Sequence, residues 1–176
     1  MSEELKLNEN VGAPQPDALA RIARKDDFLQ QLQEFLAQHK GENWCVSAID
    51  IEHFKLYTEL YGAQQAHSLM LSLTALLLEH SKATGSPVGY FGNDDFVLCL
   101  PDDKEQQLAI ISQMQTCVND HRQDVTSFLS FGVCPVAEHP DADAQTLCSY
   151  AQIASVDPSP AVGGVHRFTP AMLSRL

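Results

Sequence analysis

The sequence predicts an α+β fold in which a central antiparallel sheet is flanked by helices. Apolar runs of strand length alternate with longer segments whose apolar residues recur at helical spacing. Two of these runs, residues 88–91 and 97–100, flank Gly92-Asn93-Asp94-Asp95-Phe96, where Gly and Asn tolerate the positive φ of a tight turn. This pair predicts a β-hairpin. The chain of 176 residues is long enough for one substantial core and short for two, which predicts a single domain.

Apolar spacing and end signals predict the elements before the hairpin. Residues 1–16 are polar and contain Gly12, Pro14 and Pro16, which predicts a flexible leader. The elements expected next are, in order, a helix capped by Asp26 or Asp27 that runs to about His39, a strand over residues 44–49, a short helix to about Leu60, and a longer helix from about Gln64 to His80.

The elements after the hairpin follow from the same signals. They are, in order, a helix capped by Asp102 or Asp103, a strand near residues 126–133, a helix over residues 143–155, and an edge strand over residues 165–168. Asp157-Pro158-Ser159-Pro160 is expected to end the last helix, because proline lacks the N–H that a helix needs. We expect a single domain over residues 17–170, and residues 171–176 as the start of a connector to a possible following domain.

Two acidic elements are expected to meet at one end of the sheet. Asp50 ends an apolar strand, and Asp94 and Asp95 lie at the hairpin tip. A tight turn accounts for one of the tip acids, but two adjacent carboxylates repel each other and attract a hard cation. The order of strand, acid, two helices and acidic hairpin is found in palm-like, nucleotidyl-cyclase-like (ferredoxin-like) folds, which handle nucleoside triphosphates with a divalent metal. The alternative is that these acids only form a turn and a solvated surface.

Composition excludes some classes of partner and site. The formal net charge of -12 and pI near 4.8 argue against nucleic acid, which proteins bind through clusters of Lys and Arg. No apolar run approaches the ~20 residues of a membrane helix, and the N-terminal residues lack a signal peptide's basic and apolar regions, so we expect a cytoplasmic segment. The five cysteines lack Cys-x-x-Cys spacing and are expected as reduced thiols in the core.

Four segments in order resemble the GGDEF domain, the diguanylate cyclase module of bacterial cyclic-di-GMP signalling. Gly92-Asn93-Asp94-Asp95-Phe96 resembles its signature. The other similar segments are the entry residues Asp17, Leu19, Ile22, Lys25 and Phe28, then Asp50-Ile51-Glu52-His53-Phe54-Lys55 with Tyr61-Gly62, and Leu129-Ser130-Phe131-Gly132-Val133. The resemblance spans about residues 17–168, and it is consistent with an excised part of a larger GGDEF-EAL type protein.

The resemblance implies a metal site and a dimer. Asp50, the Ile51 carbonyl and Asp95 match positions that bind Mg²⁺ or Mn²⁺ in the family, while Asp94 matches the variable acid before the second ligand. Asp94 and Asp95 are thus candidate, vestigial catalytic residues. Asp95 is one methylene shorter than the family's Glu, which reduces its reach to the metal. Because a family monomer supplies half of the site, catalysis implies a homodimer.

The nucleotide-binding positions depart from the family pattern. Phe54, Lys55 and Gly92 match it, but Thr58 and His67 replace the guanine-reading Asn and Asp, and Asn93 replaces the second signature glycine. The family's phosphate-binding Lys and Arg align with residues 159–165, which contain neither. Losing two to three charge-assisted contacts costs on the order of 3–9 kcal/mol. A micromolar GTP site would then become millimolar or weaker. Ala83-Thr84-Gly85-Ser86 likewise stands in place of the product-inhibition motif Arg-x-x-Asp.

Three functions remain open on the sequence. The first is a catalytically impaired, regulatory GGDEF domain that retains weak GTP and metal binding and forms a homodimer or contacts a neighbouring EAL or sensor domain. The second is a low-efficiency diguanylate cyclase that makes cyclic-di-GMP from two GTP molecules. The third is a structural protein-interaction module. Saturable nucleotide binding, turnover, and the absence of any ligand effect on stability distinguish the three.

Overall fold

The structure is a computed structural model that describes residues 18–121, 129–159 and 165–176. The helices are α1 (Ala18–Arg21), α2 (Lys25–Gln38), α3 (Phe54–Tyr61), α4 (Ala63–Thr84), α5 (Lys104–His121) and α6 (Ala144–Val156), and the strands are β1 (Trp44–Ile51), β2 (Val88–Gly92), β3 (Asp95–Pro101), β4 (Leu129–Pro135) and β5 (Val165–Arg167). Two 3₁₀ turns, Val136–Glu138 and Pro170–Arg175, complete the described elements. The predicted leader, Asp17 and residues 126–128 of the predicted fourth strand lie outside the described residues.

The five strands form one sheet in the order β2-β3-β1-β4-β5. All neighbouring pairs are antiparallel except β4 and β5, which are parallel and are joined by a crossover that includes α6. The predicted α+β fold with a central antiparallel sheet is therefore confirmed. The centre of the sheet is β1, which pairs with β3 on one side and β4 on the other.

Helices cover both faces of the sheet, which explains why the central strands read as continuous apolar runs. On one face Cys45 and Ile49 of β1 pack with the leucines of α4 and with Met114 of α5. On the other face Val46 and Ala48 pack with α2 and α6. Burying a charged side chain in such a strand costs free energy, so packing in the core does not explain Asp50 at the end of β1.

Most predicted helices are present, with changed ends. Asp26 and Asp27 do not cap α2, because Arg24 is the N-cap and both acids lie in the first turn, where they still favour the helix dipole. The long helix α4 continues to Thr84 and ends at Gly85, whose φ of 76° suits a left-handed C-cap. The Asp103 carboxylate accepts from the Glu105 N–H and so caps α5, as predicted.

The end of α6 packs directly on β4 through a glycine. A Cβ at Gly132 would lie 2.3 Å from the Ala151 carbonyl oxygen and 2.3 Å from the Ser155 nitrogen. No side chain fits between helix and strand at this point. Ser130, two residues earlier, lies opposite Asp50 in the β1–β4 ladder, and its hydroxyl donates to the Ser155 carbonyl. The backbone at the end of α6 is thereby fixed beside the end of β1.

The remaining sequence predictions concern cysteines, membranes and the C-terminus. All five cysteines are free thiols, and only Cys117 among them is not fully buried. Within the described part of the chain, none of the helices has the length and apolar character to cross a membrane. The predicted edge strand ends at Arg167, and Phe168 is buried beyond it. The predicted connector forms the turn Pro170–Arg175, whose Met172 packs in the core with α6.

Candidate metal and nucleotide site

Three carboxylates meet where β1 ends and β3 begins. Asp50 lies near the end of β1, Asp95 opens β3, and Asp94 lies in the hairpin turn. The strands are antiparallel neighbours, with Ile49 opposite Phe96, so the end of one strand meets the start of the other. One oxygen from each carboxylate lies within 4.8 Å of the other two. We call this group the acid cluster.

The hairpin turn has the backbone that its sequence predicts. Gly92 has φ 105° and Asn93 has φ 50°, and glycine and asparagine tolerate this region best. The Tyr90 hydroxyl donates to the Asn93 carbonyl at 2.7 Å, and the Asp94 Oδ2 accepts from the Ile51 N–H at 3.2 Å. Asp94 therefore ties the hairpin tip to the end of β1, so a structural role accounts for part of its presence.

The acid cluster is electrostatically unfavourable without a cation. Burial first, then a hydrogen bond with Asp94 and the charges of Asp94, Asp95 and Glu52, together raise the pKa of Asp50 to about 7. Burial, and then the charge of Asp94, also raise the pKa of Asp95. A proton or a bound cation would relieve this repulsion, and a divalent metal does so while displacing the proton.

The donor set fits a hard divalent cation. The three carboxylates are oxygen donors of the type that Mg²⁺ and Mn²⁺ prefer, and Ile51 is tied to them because its N–H donates to Asp94. Each carboxylate is half-buried, so water can complete the coordination of the metal. Among the residues that the structure describes, no other group of three potential metal ligands occurs.

The other predicted nucleotide-binding residues lie on α3, α4 and the hairpin. Phe54 opens α3, is half-buried and stacks on Tyr57 with ring centroids 6.4 Å apart, which matches a core role. Lys55 is exposed. The Thr58 hydroxyl donates to the Phe54 carbonyl at 3.0 Å, so it is engaged within its own helix. His67 is exposed on α4.

Two cavities flank Asp50. One, of about 350 Å³, lies between the acid cluster and α6 and is lined by apolar residues as well as Asp50 and Asp95. The other, of about 400 Å³, continues past Asp50 and Glu52 to the loop of residues 157–159 and His166. The described residues that line the two cavities include no Lys or Arg. These walls carry the wrong charge for a triphosphate.

The loop of residues 157–159 contains an acid, Asp157. It lies just before residues 159–165, which match the family's phosphate-binding segment. The Asp157 carboxylate accepts from Arg175 Nε at 3.0 Å and Nη2 at 3.1 Å, and from the Ser159 N–H at 3.1 Å. The Arg175 hydrogen bonds, and then those of Ser159, hold the pKa of Asp157 at about 2. Sequence reasoning missed this pair, although the Asp-Pro-Ser-Pro stretch predicts a turn centred on Asp157.

Arg167 does not supply the missing cation. Its guanidinium donates to both Asp102 oxygens, at 3.0 and 3.2 Å, and to Glu138 at 3.4 Å. Asp102 follows the end of β3 and lies away from the acid cluster. Its N–H donates to the Asn43 carbonyl, at the opposite end of β1 from Asp50. Arg167 therefore forms its ion pairs at the end of the sheet opposite the acid cluster.

Comparisons with known proteins support the family resemblance and the fold. A family profile described as diguanylate cyclase, GGDEF domain, matches residues 15–157. No curated protein matches the chain. Three similar solved structures are a GGDEF-only mutant of PA1120 (TpbB or YfiN) from Pseudomonas aeruginosa, an active GGEEF domain of a diguanylate cyclase from Vibrio cholerae, and the S helix-GGDEF-EAL structure of LapD from Vibrio cholerae bound to c-di-GMP.

The similarity to these structures is in fold rather than in sequence. The Pseudomonas domain is 19% identical with a TM-score of 0.70, over 90% of this chain and 97% of that chain. The Vibrio cyclase domain is 17% identical with a TM-score of 0.67, over 85% and 99%. LapD is 17% identical with a TM-score of 0.61, over 94% of this chain and 39% of that chain. The palm-like fold is therefore confirmed.

Proposed function

Since the chain belongs to the GGDEF domain family of cyclic-di-GMP signalling, we propose that it is a catalytically impaired, regulatory member of that family. It binds a divalent metal at the acid cluster and GTP only weakly. The observation that carries this proposal is the contrast within one site. The metal-binding carboxylates lie together, whereas the described walls of the adjoining cavities carry acids and no Lys or Arg.

The retained half of the site supports metal binding. Asp50, Asp95 and the Ile51 carbonyl would hold Mg²⁺ or Mn²⁺, with Asp94 beside them. When bound, such a metal supplies charge neutralisation for a nucleotide's phosphate oxygens. Asp50 and Asp95 also hold protons more tightly than ordinary aspartates, so metal binding would release protons and strengthen as pH rises.

The altered half of the site supports weak nucleotide binding. The Thr58 hydroxyl is engaged with the Phe54 carbonyl, and a neutral hydroxyl and His67 do not reproduce the amide and carboxylate acceptors of the family. The exposed Asn93 side chain occupies the turn where the family has a second glycine. Arg175, which reaches the loop of residues 157–159 beside the cavity, is paired with Asp157.

Calorimetric titration with GTP in excess Mg²⁺, with ATP as the comparison, tests the proposal. We expect no saturation below about millimolar GTP and little preference over ATP, because two to three charge-assisted contacts are missing. Saturable binding near micromolar GTP would contradict it. A matched gain-of-function variant combines Asn93→Gly, Asp95→Glu and Ser159→Lys, and we expect it to bind GTP more tightly than each single substitution does.

A low-efficiency diguanylate cyclase is a second candidate, and the compact acid cluster favours it. Two chains would each contribute one hairpin, and the acid cluster of each would hold a metal whose charge would stabilise the nucleotide's phosphate oxygens. Cyclic-di-GMP formation that is lost in Asp95→Ala, with unchanged folding, would support this function. The exposed Asp141→Ala is the matched control, because it removes one charge outside the cluster.

The proposed partners follow from the regulatory function. A domain that binds its nucleotide weakly can still act through a homodimer, or through contact with a neighbouring EAL or sensor domain in the cytoplasm. LapD, which is similar in fold, joins a GGDEF domain to an EAL domain in one chain. Size-exclusion chromatography with light scattering, with and without Mg²⁺ and GTP, tests the homodimer.

A further inference from the structure

The loop of residues 157–159 is held by two residues that come later in the chain. Arg175 donates two hydrogen bonds to Asp157, and the Ser159 carbonyl accepts from His166 Nε2 at 2.9 Å. The Asp157 side chain is 2% exposed, whereas that of Arg175 is 44% exposed. The acid thus belongs to the packed domain, and the arginine reaches it from the surface.

The same loop is connected to the acid cluster through one side-chain hydrogen bond and one strand pairing. Ser155 precedes the loop, its carbonyl accepts from the Ser130 hydroxyl, and Ser130 lies opposite Asp50 in the β1–β4 ladder. At Gly132 the backbone of α6 lies directly against β4, with no room for a side chain between them. The loop and Asp50 also line one cavity. The loop and Asp50 are therefore linked by a hydrogen bond, a strand pairing and a shared cavity wall.

The segment that carries Arg175 is held at few points. Pro170–Arg175 is a short 3₁₀ turn, a type of helix with poor hydrogen-bond geometry. Its buried anchor is Met172, whereas Leu173 is 40% exposed. Such a segment opens at lower free energy than the core does. Its attachment depends on Met172 and on the Arg175–Asp157 ion pair.

We propose that Pro170–Arg175 is a C-terminal strap that sets the shape of the cavity beside Asp50. Docking of Arg175 on Asp157 fixes the loop of residues 157–159, and release of Arg175 loosens that wall. A force or contact that displaces the strap would change the cation site from a distance. This inference goes beyond the proposed function and depends on it only for its metal-binding measurement.

Two variants with opposite charge changes test the strap. Arg175→Gln removes a positive charge and Asp157→Asn removes a negative charge, yet both break the same ion pair. Leu173→Ala is the control on the same turn. We would measure, without any ligand, the amide exchange of Ser159 and the amide NMR signals of Ser130 and Glu52 on the other cavity walls. We would then measure Mn²⁺ affinity in all four proteins.

The strap predicts effects of the same sign in both variants. Ser159 exchange should rise about tenfold, because charge-assisted hydrogen bonds hold its loop. The Ser130 and Glu52 signals should move in the same direction, and Mn²⁺ affinity should change in the same direction. The control should match wild type. Opposite shifts in Mn²⁺ affinity would show a charge effect alone and overturn the strap, as would changes that stop at Ser159. If wild type binds no Mn²⁺, the metal part of the proposed function fails, and Ser130 and Glu52 still decide the strap.

Discussion

At the scale of the residue, Asp50 combines two roles that conflict. Its position at the end of β1 partly buries a carboxylate, and the hairpin then brings two more carboxylates beside it. The pKa of Asp50 rises to about 7 as a result. An acid that packs against other acids destabilises the native state at neutral pH unless a cation is bound. This cost is the physical sign of a cation site, and it gives Asp50 a measurable pH signature.

The stability difference between wild type and Asp50→Asn should depend on pH. Between the ordinary aspartate pKa near 4 and about 7, native Asp50 keeps a proton that the unfolded chain has released, so its contribution to stability falls as pH rises. We expect Asp50→Asn to gain on wild type by about 1 kcal/mol from pH 4 to pH 7.5, a value reduced for solvent screening.

Urea unfolding of both proteins in EDTA, at several pH values, measures this difference. Asp141→Asn is the control, since Asp141 is exposed outside the cluster. A difference between wild type and Asp50→Asn that stays constant from pH 4 to 7.5 would refute the assignment of the raised pKa to Asp50.

At the scale of the element, local signals predicted the hairpin and the end of α6 well, but not the contact that holds the loop after α6. The hairpin is encoded by neighbours in sequence, because Gly92 and Asn93 supply the positive φ and β-forming residues flank them. The N-cap of α5 at Asp103 was also predictable, because Asp103 and the Glu105 N–H that it accepts from are close in sequence. The Arg175–Asp157 pair joins residues 18 apart through a tertiary contact, and the sequence carries no local signal for it. The cap of α2 was predicted wrongly because Arg24 precedes two acids that resemble caps.

The contact between α6 and β4 yields an element-scale prediction. Gly132→Ala places a methyl group 2.3 Å from backbone atoms of α6, and backbone cannot rotate away as a side chain can. We expect a loss of about 3 kcal/mol in the free energy of unfolding, at the upper end of overpacking costs. The α6 end would also shift and alter the wall beside Asp50. Chemical denaturation measures the first effect, and NMR signals of Ser130 and Ser155 measure the second.

Gly41→Ala is the comparison for Gly132→Ala. Gly41 has φ 85° and open space around its Cα, so alanine there adds backbone strain without a clash. We expect a cost of about 1 kcal/mol from that strain. If the two substitutions cost the same, the close approach of α6 to β4 does not limit the packing.

At the scale of the whole molecule, the sequence predicted the fold and the grouping of the three acids, but not the shapes of the cavities beside them. Apolar spacing predicted the sheet and its covering helices, and the order of the acidic segments predicted that Asp50 lies close to Asp94 and Asp95. The shapes of the two cavities depend on how α6 and the loop after it pack against the sheet, so no sequence pattern predicted them. The net charge of -12 follows from composition alone, but only the fold concentrates three of these acids beside a cavity.

That concentration of charge separates specific metal binding from general screening. At equal ionic strength, MgCl₂ and NaCl screen the net charge of -12 to a similar degree, but only Mg²⁺ suits the acid cluster. At ten times the dissociation constant, a ligand that binds only the native state adds about 1.4 kcal/mol. For a chain of this size that raises Tm by about 3–6 °C. We expect this excess in wild type and Asp141→Ala and its loss in Asp95→Ala. Equal shifts with the two salts would assign the acids to the turn and leave the interaction module as the function.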